Sequence, residues 1–258
     1  MIKTIFFSGS ISINSIPSRV IKSLDGIKKE NDIGVDTYRI IVGDANGFDL
    51  LVQEYCNKIG LVDVMVYGIY DEPRNIVTGF EYTKVEVDLS IKSERKKQTF
   101  KDKEMTNESD ISYVVWNEES KGSYTNILRA IEQDKQVRVF SSKSNSPIPQ
   151  VTPEIIEKIY RGNIGYTATE LVEKLFVKGV RKFTSSRELN QYLIEKQYID
   201  FKEIKDKKVY QSLDLNYSFD VGYRGSVTGV KFKEELFLEL FKKYKSKATS
   251  KGYGAVRG

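Results

Sequence analysis

Between residues 1 and 140 the chain alternates continuous apolar, β-branched runs with segments of helical period, and this alternation narrows the folds open to it. Thr4 to Phe7, Tyr38 to Val42, Val64 to Tyr67, Tyr113 to Trp116 and Val137 to Phe140 read as strands. Apolar residues at successive rather than alternate positions mean burial on both faces, the pattern of a parallel sheet covered by helices. Helices are expected at about 17–29, 48–59, 93–107 and 125–133, with Pro17 acceptable in a first turn. Right-handed crossovers between the strands then give an α/β fold with a Rossmann-like, doubly wound parallel sheet.

Residues 141–150 are rich in Ser and Pro and carry neither a helical nor a strand period, so they read as a linker. Beyond them, helices are expected at about 153–160, 167–177 and 185–196, with Ser185 or Ser186 as a cap, followed by a strand over Lys208 to Leu213 and a last helix from Lys231 to Lys245. Helix, turn, helix and strand is the order of a winged helix. The expected organisation is a Rossmann-like domain over 1–140, a linker over 141–150, a smaller, mostly helical, helix-turn-helix-like domain over 151–246 and a flexible tail over 247–258.

Composition excludes several classes of chemistry. With no histidine and one cysteine, an intramolecular disulfide is ruled out and little remains for a zinc site or a thiol enzyme. Catalysis would fall to carboxylates, hydroxyls or lysine. Cys56, with Val52 and Ile59 on the same helical face, reads as an inert buried side chain. No apolar run approaches the roughly 20 residues that span a bilayer, and the first residues enter a strand at once, so no membrane partner and a cytoplasmic location are expected. Charge is uneven: residues 1–150 carry 20 Lys and Arg against 22 Asp and Glu, whereas residues 151–258 carry 21 against 14. A basic second half suggests an acidic partner, nucleic acid being the obvious one, or simply a solvated surface.

Three loops follow expected strands and gather at one sheet edge: Ser8-Gly9-Ser10 with Ser12, Gly43-Asp44-Ala45-Asn46-Gly47-Phe48-Asp49, and Asn117-Glu118-Glu119-Ser120-Lys121-Gly122-Ser123. Ligands of parallel sheets bind outside the carboxyl ends of strands, where helix N-termini present free N–H groups and a favourable dipole. Glycines let the backbone approach a phosphate, and hydroxyls add donors. Ser8, Gly9, Ser10, Gly43, Asp44, Asn46, Gly47, Asn117, Ser120, Gly122, Ser123 and Asn126 are the candidate ligand-binding residues. Asp44 and Asp49 have a structural alternative, capping the helix that begins near Gly47 and complementing its dipole. Trp116 reads as core or pocket wall.

Phe7-Ser8-Gly9-Ser10, Ile40 through Asp49, Lys101-Asp102 with Met105 and Ser109-Asp110, and Val115-Trp116-Asn117 leading to Ser120-Lys121-Gly122-Ser123 and Asn126-Ile127 together resemble the SLOG superfamily. The likeness is greatest to its YspA or cpYpsA-related branch, whose relatives include the LOG-like phosphoribohydrolases and the DprA DNA-processing proteins. It covers about residues 2–140. The resemblance implies a Rossmann-like fold that binds nucleotides, nucleotide-derived signals or, in some branches, single-stranded DNA. One departure bears on catalysis: the hydrolase branch carries a glutamate where Asn126 stands, and Asn cannot act as a general base. The site therefore reads as better equipped to hold a ligand than to cleave it, unless Asp44, Asp49, Glu118 or Glu119 supplies the carboxylate.

The leading expectation is a cytoplasmic sensor that binds a nucleotide or nucleotide-derived signal in the first domain and passes its state through the second to DNA or a protein. No cofactor is expected beyond that ligand, and self-association is left open. The alternatives are an N-glycoside hydrolase acting on nucleotides and a DprA-like nucleic-acid-binding protein. Arg181, Lys182 and Arg187, before and within the expected recognition-like helix, are the candidate nucleic-acid contacts, with Lys205, Lys207 and Lys208 at the turn into the following strand.

Overall fold

The computed structural model describes residues 2–34 and 37–249, which fall into two compact units divided between Lys158 and Ile159. In the first unit, strands β1 (Ile2–Gly9), β2 (Thr37–Gly43), β3 (Val64–Gly68), β4 (Glu81–Lys84), β5 (Ile111–Trp116), β6 (Gln136–Ser141) and β7 (Ser146–Pro147) form one sheet in the order β4-β3-β2-β1-β5-β6-β7. All neighbours are parallel except β6 and β7. The strand order reverses at β1 and β5, so the loops leaving these two strands part and open a crevice between them.

Side chains alternate across the sheet as the doubly buried pattern requires. Ile5, Phe7, Ile40 and Val42 face α1 (Ser18–Ile33) and α2 (Phe48–Lys58), which contribute Leu24, Val52 and Cys56 to the same core. Burial pushes the Cys56 thiol up to about 12, so it stays protonated. Phe6, Ile41 and Tyr67 face the other way, onto Met105 of α3 (Glu94–Glu108). Helix α4 (Lys121–Glu132) lies beside α3 and packs on β5. No helix of the described residues is long and apolar enough to cross a membrane.

Residues 141–150 differ from the expected linker. Asn145 takes a left-handed turn at φ 51°, β7 pairs antiparallel with β6, and the Ile148 N–H donates to the Val139 carbonyl at 2.9 Å. The Ser and Asn cluster is turn chemistry, and prolines are tolerated on an edge strand where no neighbour needs their N–H. The division between units falls later, inside α5 (Pro153–Ile164).

The second unit holds α6 (Ala168–Val177), α7 (Ser186–Glu195), the hairpins β8 (Ile199–Ile204) with β9 (Lys207–Ser212) and β10 (Ser218–Tyr223) with β11 (Ser226–Phe232), and α8 (Glu234–Thr249). Thr167 and Glu170 cap α6 reciprocally, and the Ser185 hydroxyl accepts the Glu188 N–H at the start of α7. Lys205 and Asp206 at φ 50° and 60° make the β8–β9 turn. Leu171, Leu175, Leu189, Leu193, Phe232 and Leu236 form the core. The last helix runs further than expected, through Thr249, because Lys, Ser and Ala after Leu240 offer no helix breaker. The part of the expected tail from 250 to 258 lies outside the described residues.

One close approach fixes the first strand-end loop on α2. A Cβ at Gly9 would stand 2.5 Å from the Phe48 ring, and Phe48 is fully buried. Gly9→Ala is therefore expected to lower stability by about 1–3 kcal/mol through overpacking, measured as a reduced midpoint in urea unfolding at unchanged slope.

Candidate functional site

A cleft of about 300 Å³ opens at the carboxyl ends of β1, β2 and β5, near the lower limit of small-molecule sites, which run from roughly 300 to 1,000 Å³. Its first wall comes from the turns after β1 and β5. Asn117 joins the two: its Oδ1 accepts from the Ser10 hydroxyl at 3.0 Å and from the N–H groups of Glu119 and Ser120 at 3.1 and 2.7 Å. Its Nδ2 donates to Ser12 at 3.0 Å. Glu118 takes a left-handed φ of 63° in this turn. The chain then enters α4 with Ser120 as N-cap, its hydroxyl accepting the Ser123 N–H at 3.3 Å. N–H groups in a helix's first turn have no intrahelical acceptor, and Gly122 places no side chain over them: a Cβ built there meets only the Ser120 hydroxyl, at 4.0 Å. The Ser8 hydroxyl, on the β1 side of the same cleft, is buried and has no hydrogen-bond partner.

The floor is charged. A Cβ at Gly43 would stand 2.4 Å from Asp49 Oδ2 and 2.8 Å from Lys101 Nζ, so the absence of a side chain there admits both groups. Lys101 is 3% exposed, and its Nζ lies 3.3 Å from Asp102 Oδ1. Burial pushes the Asp49 carboxyl up to about 7; Asp102 and Asp44 act in the same direction, while Lys101 and a hydrogen bond from the Ala45 backbone oppose it. Asn126 donates to Asp102 Oδ2 at 3.2 Å and accepts from Arg129 at 2.8 Å. Arg95, Gln98 and Thr99 of α3 form the remaining wall with Arg74 from the loop after β3.

Asp44, fully buried, is occupied elsewhere. It accepts from the Arg74 backbone N–H and Nε at 3.1 Å each and from Nη2 at 2.5 Å. Burial works against its charge, yet these bonds and the charge of Lys101 hold its carboxyl below the usual range. The Gln53 side chain ties the same region together, donating to the Gly43 carbonyl and accepting from the Val77 N–H, each at 3.0 Å.

The candidate residues thus separate into groups. Ser8, Gly9, Gly43, Ser120, Gly122, Ser123 and Asn126 line the cleft. Ser10 and Asn117 sit behind it as the staple between loops, and Asn46 is exposed. Gly47, at φ 79°, serves backbone packing, since a Cβ would stand 2.2 Å from the Ile11 carbonyl oxygen. Of the carboxylates considered for catalysis, Asp49 alone lines the cleft: Asp44 is held by Arg74, Glu118 accepts from Ser141, and Glu119 pairs with Lys143 at 2.6 Å. Trp116 is fully buried, donating to the Ser120 carbonyl at 3.1 Å.

Sequence reasoning missed Arg74, Arg95, Gln98 and Thr99. Arg95, Gln98 and Asp102 fall at i, i+3 and i+7, one face of α3, and that spacing was the available signal. In the second unit, Arg181 stacks at 3.5 Å on the Phe176 ring and donates to that residue's carbonyl, while Lys182 and Arg187 are exposed between α6 and the first turn of α7.

The Asp49 shift has a consequence for stability. A carboxyl raised from 3.8 to about 7 by folding leaves stability intact below the lower value and removes it progressively as pH rises toward the upper one. Asp49→Asn should match wild type at pH 4 and be more stable than wild type above pH 7, as thermal unfolding at the two pH values would read.

No family model matches the chain, and no curated protein matches it in sequence. Solved structures similar to it include DNA processing protein A from Helicobacter pylori, described for its single-stranded DNA binding mode. That protein is 13% identical over 75% of this chain and 81% of its own, at a TM-score of 0.36. A putative UDP-N-acetylglucosamine 2-epimerase from Listeria monocytogenes is 14% identical over 69% of this chain and 42% of its own, at 0.28. Homoserine dehydrogenase from S. aureus is 12% identical over 80% and 46%, at 0.29.

Proposed function

We propose that the first unit is a SLOG-type domain that binds a phosphate-bearing nucleotide or nucleotide-derived ligand, with a phosphate over the first turn of α4. The second unit then passes the liganded state to DNA or a protein. The observation that carries this reading is the open first turn of α4 at Gly122, in a cleft lined also by Ser8, whose hydroxyl is buried and unpartnered. Such a turn offers N–H groups and a favourable dipole to an anion without any catalytic group.

Holding is favoured over cleavage because Asn126 bridges Asp102 and Arg129 where a general base would stand. The reading of an N-glycoside hydrolase has one observation in its favour, the enclosed Asp49 carboxyl beside Lys101. Release of free base from nucleoside monophosphates, abolished in Asp49→Asn, would support it over sensing.

Gly122→Val tests the phosphate seat, because a branched side chain would fill the space over the α4 turn. For the nucleotide that calorimetry shows to bind wild type, affinity should fall at least about tenfold, or 1.4 kcal/mol, with the circular dichroism spectrum unchanged. Equal affinity in the folded variant would place the ligand elsewhere.

For the second unit, duplex DNA binding by the full chain should weaken steeply with salt as counterions are released. Lys182→Ala and Arg187→Ala should each reduce the salt slope by about one. Salt-independent binding, or none at low salt, would favour a protein partner.

A further inference from the structure

A second concavity lies away from the cleft, along α1. Two adjoining cavities of about 490 and 250 Å³ share Ser23, Tyr113 and Arg138 and form one groove between α1 and β6. Tyr113 is its floor, buried, with its ring stacked on Phe7 at 4.8 Å and its hydroxyl 3.4 Å from that of Ser23. Arg19, Ser23, Gly26 and Glu30 fall at i, i+4, i+7 and i+11, so one face of α1 makes the wall. At a rise of about 1.5 Å per residue that face extends about 16 Å, the span of about five residues of extended chain.

The chain itself makes no use of two features of this groove. Gly26 stands in the interior of a 16-residue helix without a left-handed φ, and a Cβ there would meet nothing within 4 Å. Glycine weakens a helix interior, and neither backbone conformation nor packing calls for it at this position. Its effect is a stretch of bare backbone that an outside molecule can approach closely. The second feature is charge. The charged side chains lining the groove are Arg19, Lys22, Arg138 and Glu30, and none of the three cations makes an ion pair among the described residues. Neighbouring carboxylates are engaged elsewhere: Asp25 accepts from the Tyr55 hydroxyl at 2.7 Å, and Asp110 from the Thr4 N–H at 2.8 Å.

We propose that the groove docks an extended segment of a partner protein, with acidic side chains opposite Arg19, Lys22 and Arg138 and an apolar one against Gly26 and Ile27. Three cations against one carboxylate call for an acidic occupant. Ile5, Ile27 and Ile111 make the Gly26 stretch apolar, which suits a hydrophobic side chain rather than another charge. A nucleic-acid backbone carries a charge at every residue and would set one against Glu30, whereas a peptide can leave that position uncharged. The groove shares no lining residue with the cleft, so the inference is independent of the phosphate seat.

Selection from a random heptapeptide display library on the full chain tests it. Enriched peptides should combine acidic with apolar residues, and a synthetic copy of the strongest should bind in fluorescence polarisation with an affinity that falls as salt is added. Gly26→Leu fills the groove from one wall and Arg138→Glu reverses the charge of the other, and each should weaken that peptide at least about tenfold. Gly26→Leu should also raise the thermal midpoint, since leucine is the better helix former, which separates lost docking from lost folding. No enrichment, or enriched peptides whose binding neither variant weakens, would overturn the proposal. Oligothymidylate binding that both variants abolish would overturn it in favour of a nucleic acid, and a wild-type dimer that both variants dissolve would overturn it in favour of a second copy of the chain.

Discussion

The buried ammonium of Lys101, pressed against Gly43, is the interaction on which the candidate site depends. A charged group taken out of water is costly unless partners surround it, and this one is 3% exposed. Its partners fix the neighbouring elements: Asp49 sits in the first turn of α2, Asp102 in α3, and Asn126 of α4 holds Asp102 in turn. Any side chain at position 43 would collide with the pair. The end of β2, two helices on one face of the sheet and one on the other therefore meet at a single charge, and the cleft forms above it.

Much of this arrangement was legible in the sequence, for a physical reason. Strands buried on both faces show as continuous apolar, β-branched runs, as in Ile40-Ile41-Val42 and Val114-Val115-Trp116. The strands that escaped notice are at edges or in hairpins. Glu81–Lys84 is polar because one side of it meets solvent, and the two-residue β7 consists of Ser146 and Pro147. In the second unit Ile199–Ile204 interleaves charge with its apolar residues and shows little pattern.

At the site, the loops were readable but the division of labour within them was not. Gly47 looked like a residue that admits a ligand, whereas it admits the Ile11 backbone, and Gly9, which lines the cleft, also admits the Phe48 ring. Asp44 looked like a cap or a catalyst and is instead the anchor of the loop that carries Arg74. These roles depend on contacts between residues 30 or more positions apart, which local pattern does not encode. The dense charge of α3 does not mark a site in the sequence, because helix propensity and composition are the same whether Arg95 and Gln98 face bulk water or a cleft. Only the close packing of α3 on α4 distinguishes the two.

The central claim is that a phosphate-bearing ligand sits over the first turn of α4, and amide chemical-shift mapping tests it most directly. A ¹⁵N-labelled chain titrated with a mixture of nucleoside phosphates should shift first at Gly122, Ser123 and the Ser8–Ser10 turn, with Lys101 and Asp102 following. Shifts confined to other surfaces, such as the groove between Arg19 and Arg138, would contradict the account.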